Sequence, residues 1–115
     1  MLFVCYPKCS TCQKAKKWLE NNKIKNTERH IVEDNPSYDD LKEWYCKSRL
    51  PLKKFFNTSG LLYKEMQLKD KLKKMSEEEQ LKLLSTNGML VKRPILVDGD
   101  VVLVGFRETE WEEKL

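Results

Sequence analysis

The chain has 115 residues, 40% of them apolar and 35% charged, with 22 basic against 18 acidic side chains and a net charge of +4. That length suits one domain with a single core and no disulfide staples, and no apolar run approaches the roughly 20 residues needed to span a bilayer. The basic excess is modest and interspersed, as on an ordinary solvated surface, which sets aside direct nucleic-acid binding and membrane association.

Met1 to Tyr6 is apolar but leads straight into Pro7-Lys8-Cys9, with neither a basic leader nor a small-residue cleavage site, so a cytoplasmic location is expected. Within it, Leu2 to Tyr6 reads as a strand covered on both faces, and Pro7 ends it. A helix is expected from Ser10 to about Asn22, its apolar stripe formed by Cys12, Ala15, Trp18 and Leu19. Asn26 to Val32 reads as a second strand, with Thr27, Arg29 and Ile31 alternating against Glu28, His30 and Val32. Strand, helix, strand in this order predicts a right-handed parallel pair.

The middle of the chain is helical. Pro36-Ser37 with Asp40 starts a helix carrying Leu41, Trp44 and Tyr45, and Pro51 breaks it. Asn57-Thr58-Ser59-Gly60 is a turn, followed by short helical pieces through Leu61, Leu62, Met66, Leu68 and Leu72. Ser76-Glu77-Glu78-Glu79 is a capping box for a helix with Leu81, Leu83 and Leu84, closed by Asn87-Gly88. Pro94 to Val97 and Val101 to Val104 flank Asp98-Gly99-Asp100, a hairpin signal. A last short helix is expected to return Trp111 and Leu115 to the core. The whole is an α/β chain, a single domain over 1–115 in the order βαβ…ββα. It is expected to form a mixed four-stranded sheet with helices on both faces and a helical insertion over about 36–88.

The chemistry centres on Cys9-Ser10-Thr11-Cys12. The first N–H groups of a helix lack intrahelical partners and the helix dipole is positive there, so a thiolate at Cys9 is favoured, with Lys8 adding charge. Such surroundings lower a thiol pKa from about 8.5 toward neutrality, and the thiolate is the nucleophile. Cys12 lies one turn further in, on the buried stripe. Cys9 is therefore read as the attacking sulfur and Cys12 as the resolving one. Two purely structural cysteines are the plain alternative. A zinc site is the other, but it wants four ligands, and Cys5, Cys46 and His30 form no second close pair. Cys5 and Cys46 read as buried or half-buried cysteines, and His30 as packed rather than catalytic. Arg93-Pro94 forces extended backbone at Arg93, and a last hairpin beside the first strand would aim that guanidinium at the Cys9 helix terminus. A surface charge is the equal alternative for Arg93, and the preferred one for Arg107 on pattern alone.

Four segments, Tyr6 to Ala15, Phe56 to Gly60, Lys92 to Gly99 and Val104 to Arg107, resemble the bacterial arsenate reductase-like family in order and along essentially the whole chain. That family takes in glutaredoxin-coupled arsenate reductases, their relatives and the Spx transcriptional regulators. The resemblance implies a thioredoxin-like fold, a cis proline at Pro94 and a nucleophile at Cys9. It also implies oxyanion-holding arginines at Arg93 and Arg107, with Lys53 near the position of the third. Lys8, Ser10, Thr11, Lys53 and Pro94 make up the expected substrate-binding set.

Two departures argue against arsenate as substrate. Lys53 lacks the planar fork of an arginine. Cys12 resembles Spx and its nearest relatives, whose pair forms an internal disulfide, whereas the reductases keep only the first cysteine. Against Spx, this chain stops at Leu115 where those proteins continue, and its segment from Phe56 to Gly60 resembles the reductase-like branch. The expected activity is thiol–disulfide oxidoreduction with no metal or organic cofactor, re-reduced by an external thiol system such as thioredoxin or glutaredoxin/glutathione. The alternative is a redox-sensing regulator that binds the C-terminal domain of the RNA polymerase α subunit.

Overall fold

In the computed structural model, which describes residues 1–115, a four-stranded sheet runs in the order β2-β1-β3-β4. β1 (Leu2–Cys5) pairs parallel with β2 (Thr27–His30) and antiparallel with β3 (Ile95–Asp98). β3 pairs antiparallel with β4 (Val101–Val104). α1 (Ser10–Asn21) makes the crossover between the parallel strands. Between β2 and β3 come α2 (Tyr38–Ser48), α3 (Leu61–Glu65), α4 (Leu68–Lys71) and α5 (Glu77–Thr86), with 3₁₀ turns among them. α6 (Glu108–Lys114) ends the chain. This is the mixed sheet of a thioredoxin-like fold, as expected.

The sheet divides the core in two because successive strand residues face opposite ways. Phe3 and Cys5 of β1, Leu96 of β3 and Leu103 of β4 pack with Cys12, Ala15 and Leu19 of α1 and with Trp111 of α6. Val4, Ile95 and Val102 face the other side, against Leu41, Trp44, Leu68, Leu81 and Leu84 of the middle helices. The unbroken apolar run of β1 follows from this, since its central residues are covered on both faces.

β2 is shorter than the alternation suggested. It is an edge strand, Thr27 and Glu28 are exposed, and the chain leaves the sheet after His30, whose carbonyl accepts the N–H of Asp34 at 2.8 Å. Two further expectations need correcting. Cys46 is exposed rather than buried or half-buried, because α2 turns Leu41 and Trp44 inward and position 46 falls outside that stripe. Leu115 is 37% exposed, since α6 stops at Lys114 and only Trp111 reaches the core.

Helix starts differ in one respect that bears on the site. α2 opens with a reciprocal capping box between Ser37 and Asp40, and α5 with one between Ser76 and Glu79. Each spends one free helical N–H, that of Asp40 or Glu79, on its own serine side chain. α1 has no side-chain cap and no acidic residue in its first turn. Its N–H groups stay available to a ligand or to a sulfur.

Candidate active site

Cys9 reaches the N-terminus of α1 through a tight turn. The Cys9 N–H donates to the Tyr6 carbonyl at 2.9 Å, which places Pro7 at the second turn position, where its fixed φ is favoured. Gln13 Nε2 donates to the Pro7 carbonyl at 3.0 Å and ties the turn to the helix. Cys9 is itself the N-cap, with extended backbone, and its carbonyl takes the first helical bond from the Gln13 N–H at 3.0 Å.

The two sulfurs have opposite environments. Burial is the largest single influence on Cys9 and acts against its thiolate. It is outweighed by the backbone N–H of Cys12, the Arg93 guanidinium, the Cys12 thiol and the backbone N–H of Thr11, so the Cys9 thiol is held below its ordinary value. Cys12, 2% exposed, is pushed up to about 12, chiefly by burial and further by the neighbouring Cys9 charge, although the Tyr6 N–H donates to its Sγ at 3.4 Å. One sulfur is favoured as a thiolate. The other is a protonated thiol one helical turn away, and all four cysteines are unpaired.

Beside Cys9 opens a cavity of about 630 Å³. Thr11 and Arg93 line it, as do Asn57, Ser59, Gly60, Leu61, Leu62 and Glu65 from the turn before α3 and from α3 itself, together with Met89 and Lys92. The Arg93–Pro94 peptide is cis, Pro94 is buried, and the Pro94 carbonyl accepts the Gly105 N–H at 2.8 Å. Gly105, with φ +79°, gives β4 the left-handed turn this contact requires.

The structure therefore brings together Cys9, Cys12, Thr11, Arg93 and Pro94. Of these, Cys9, Thr11 and Arg93 line the cavity, while Cys12 and Pro94 are buried and, like the remaining expected site residues, do not. Lys8 and Ser10 are exposed at its approach. Arg107 is exposed at the N-cap of α6. Lys53 lines a separate cavity of about 420 Å³ with Tyr45, Tyr63, Lys69 and Lys73. The second cation lining the Cys9 cavity is Lys92. Sequence reasoning did not assign roles to Asn57, Ser59, Glu65, Met89 or Lys92. The nearest signal was the Asn57–Gly60 turn, whose approach to Cys9 depends on packing between distant segments. No cluster of His, Cys, Asp or Glu is arranged to hold a metal ion, and no helix is long and apolar enough to cross a membrane.

This geometry has relatives. The chain is 57% identical over 113 residues to the uncharacterized protein YusI of Bacillus subtilis, covering 98% of this chain and 96% of that one. It is 28% identical over 102 residues to the global transcriptional regulator Spx 2 of Bacillus anthracis, covering 89% of this chain and 76% of the regulator. Among solved structures, an ArsC-family-related protein from Bacteroides fragilis matches with a TM-score of 0.95 at 61% identity, over 97% of this chain and 94% of that one. The arsenate reductase from Vibrio cholerae matches with a TM-score of 0.86 at 28% identity, over 100% of this chain and 98% of that one. The ArsC family pattern covers residues 5–114, and the chain belongs to the ArsC family.

Proposed function

We propose that this chain is a cytoplasmic thiol–disulfide oxidoreductase of the ArsC family, with Cys9 as nucleophile and Cys12 as resolving thiol. The supporting observation is the opposed pair of sulfurs, one favoured as thiolate by α1 and Arg93, the other kept protonated by burial within hydrogen-bonding reach of the first. The Cys9 thiolate attacks one sulfur of an oxidised substrate R–S–S–R′. A Cys9–S–S–R bond forms, the substrate S–S bond breaks, and R′S⁻ departs.

Capping Cys9 in this way removes its negative charge, and with it one cause of the raised Cys12 pKa. The Cys12 proton passes to the departing thiolate. The Cys12 sulfur, supported by the Tyr6 N–H, then displaces RS⁻ and leaves a Cys9–Cys12 disulfide. Two electrons have moved from the pair to the substrate, and an external thiol reductant such as thioredoxin or glutaredoxin/glutathione restores them.

A disulfide rather than arsenate is the favoured substrate, because only Arg93 of the three cationic positions aligned with oxyanion-holding arginines lines the Cys9 cavity. The test is turnover of a chromogenic aryl disulfide with excess dithiol. Cys9→Ser should abolish it, and Cys12→Ser should accumulate a Cys9 mixed disulfide visible by mass. Undiminished multiple turnover in Cys12→Ser would remove the resolving role.

The Spx 2 similarity together with the Cys9/Cys12 pair supports a second reading, in which the disulfide is a sensor and the partner is the C-terminal domain of the RNA polymerase α subunit. Binding of that domain that changes with redox state, without turnover, would favour it.

A further inference from the structure

We propose that Tyr6, braced by His30, is a positioning residue that holds the Arg93 guanidinium against the Cys9 sulfur. The inference rests on the reading of Cys9 as a reactive thiolate and adds how its cation is kept in place. Arg93 Cζ lies 5.1 Å from the centroid of the Tyr6 ring, within cation–π range. The other face of the problem is what else holds Arg93. Apart from Cys9 itself, its one hydrogen-bond partner is a long one, Nη1 to Met89 Sδ at 4.0 Å, and none of the molecule's ion pairs includes it.

This is a chemically sensible way to anchor such a group. A carboxylate would order the guanidinium, but it would also cancel the positive charge that favours the thiolate. An aromatic face orients the cation and leaves its charge available. A flexible arginine with no anchor would lose that orientation among its many rotamers.

Tyr6 is in turn fixed on three sides. Its carbonyl accepts the Cys9 N–H at 2.9 Å, and its N–H donates to Cys12 Sγ at 3.4 Å. Its ring meets the His30 ring edge-on, with centroids 5.7 Å apart and planes at 86°. The imidazole is locked by the N–H groups of Val32 and Glu33, both donating to Nδ1 at 3.1 Å. One residue thus contacts the Cys9 backbone and the Cys12 sulfur through its own backbone, and the guanidinium through its ring. His30, the chain's only histidine, serves as the ring's backstop.

The test is the pH titration of Cys9 thiolate absorbance in the reduced full-length protein. Tyr6→Leu should raise the Cys9 pKa by about half a unit, a roughly threefold drop in its ionisation constant, whereas Tyr6→Phe should leave it in place. In an Arg93→Met background, Tyr6→Leu should add nothing. An unchanged titration in Tyr6→Leu, or equal effects with and without Arg93, would overturn the proposal. Should Tyr6→Leu fail to fold, proton NMR of the wild type decides instead. The Arg93 side-chain protons should be displaced upfield by the Tyr6 ring current, and ordinary positions would overturn the stacking. A wild-type Cys9 of ordinary pKa would instead defeat the oxidoreductase reading while leaving that ring-current result intact.

Discussion

Raising the pH of the reduced protein should unfold it through two buried thiols. Burial pushes Cys5 up to about 11 and Cys12 up to about 12, from an ordinary 9.0. Both folded-state values are raised, so the stabilisation is complete below about pH 9 and is lost as pH climbs through the folded values. In that window the unfolded chain sheds protons that the folded chain keeps. At about 1.4 kcal/mol per pH unit, the interval for Cys5 is worth about 3 kcal/mol and that for Cys12 about 4 kcal/mol, against a typical total stability of about 5–15 kcal/mol. Cys9, whose folded value is lowered from 9.0, acts in the opposite sense up to about pH 10 and does so alike in wild type and Cys5→Ala. The assay is urea unfolding in excess reductant at intervals from about pH 8 to about pH 11, comparing wild type with Cys5→Ala. Exposed lysines titrate alike in both proteins and cancel. Little slope from either thiol is expected at about pH 8. Between about pH 9.5 and about pH 10.5 the two thiols should cost the wild type up to about 2.7 kcal/mol per pH unit, and the single thiol of the variant about half that, after a start lowered by about 1 kcal/mol for the missing sulfur. Identical slopes would refute the reasoning.

Other outcomes follow from packing and placement. Gly88→Ala would put a Cβ 1.9 Å from the Ile31 carbonyl oxygen, a backbone atom that cannot swing away, so urea melts should show a loss of about 3 kcal/mol. Trp111→Ala removes a fully buried ring that meets Phe3, Trp18 and Phe106 and whose N–H donates to the Gly105 carbonyl at 3.2 Å. The cost, by the same measurement, should be about 4 kcal/mol. Arg107→Ala should leave the Cys9 titration unmoved, since Arg107 is exposed at the α6 N-cap and is not among the groups that act on Cys9.

What could be read from the chain alone was whatever depends on near neighbours in sequence. The double-sided strand Leu2–Cys5, the stripe of α1 and the capping boxes at Ser37 and Ser76 are local patterns, and each appears where expected. The unequal burial of Cys9 and Cys12 follows from a single helical turn, so it too was legible. The cavity was not. Its walls come from the turn at Asn57–Gly60, from α3 and from the Met89–Arg93 segment, and only tertiary packing decides that these meet Cys9 while Lys53 and Arg107 do not. Lys8 illustrates the same limit. Adjacent in sequence to Cys9, it is exposed, and the cation acting on the sulfur is Arg93, far along the chain.

The central claim is an ionised sulfur at position 9, and the direct measurement is the thiolate absorbance of the reduced protein followed against pH in wild type and Cys9→Ser. The account predicts a thiol in the wild type that ionises below the ordinary 9.0 and vanishes in the variant, with the buried pair titrating only in strong alkali. A wild-type curve with no transition below the ordinary range, superimposable on that of Cys9→Ser at neutral pH, would contradict it.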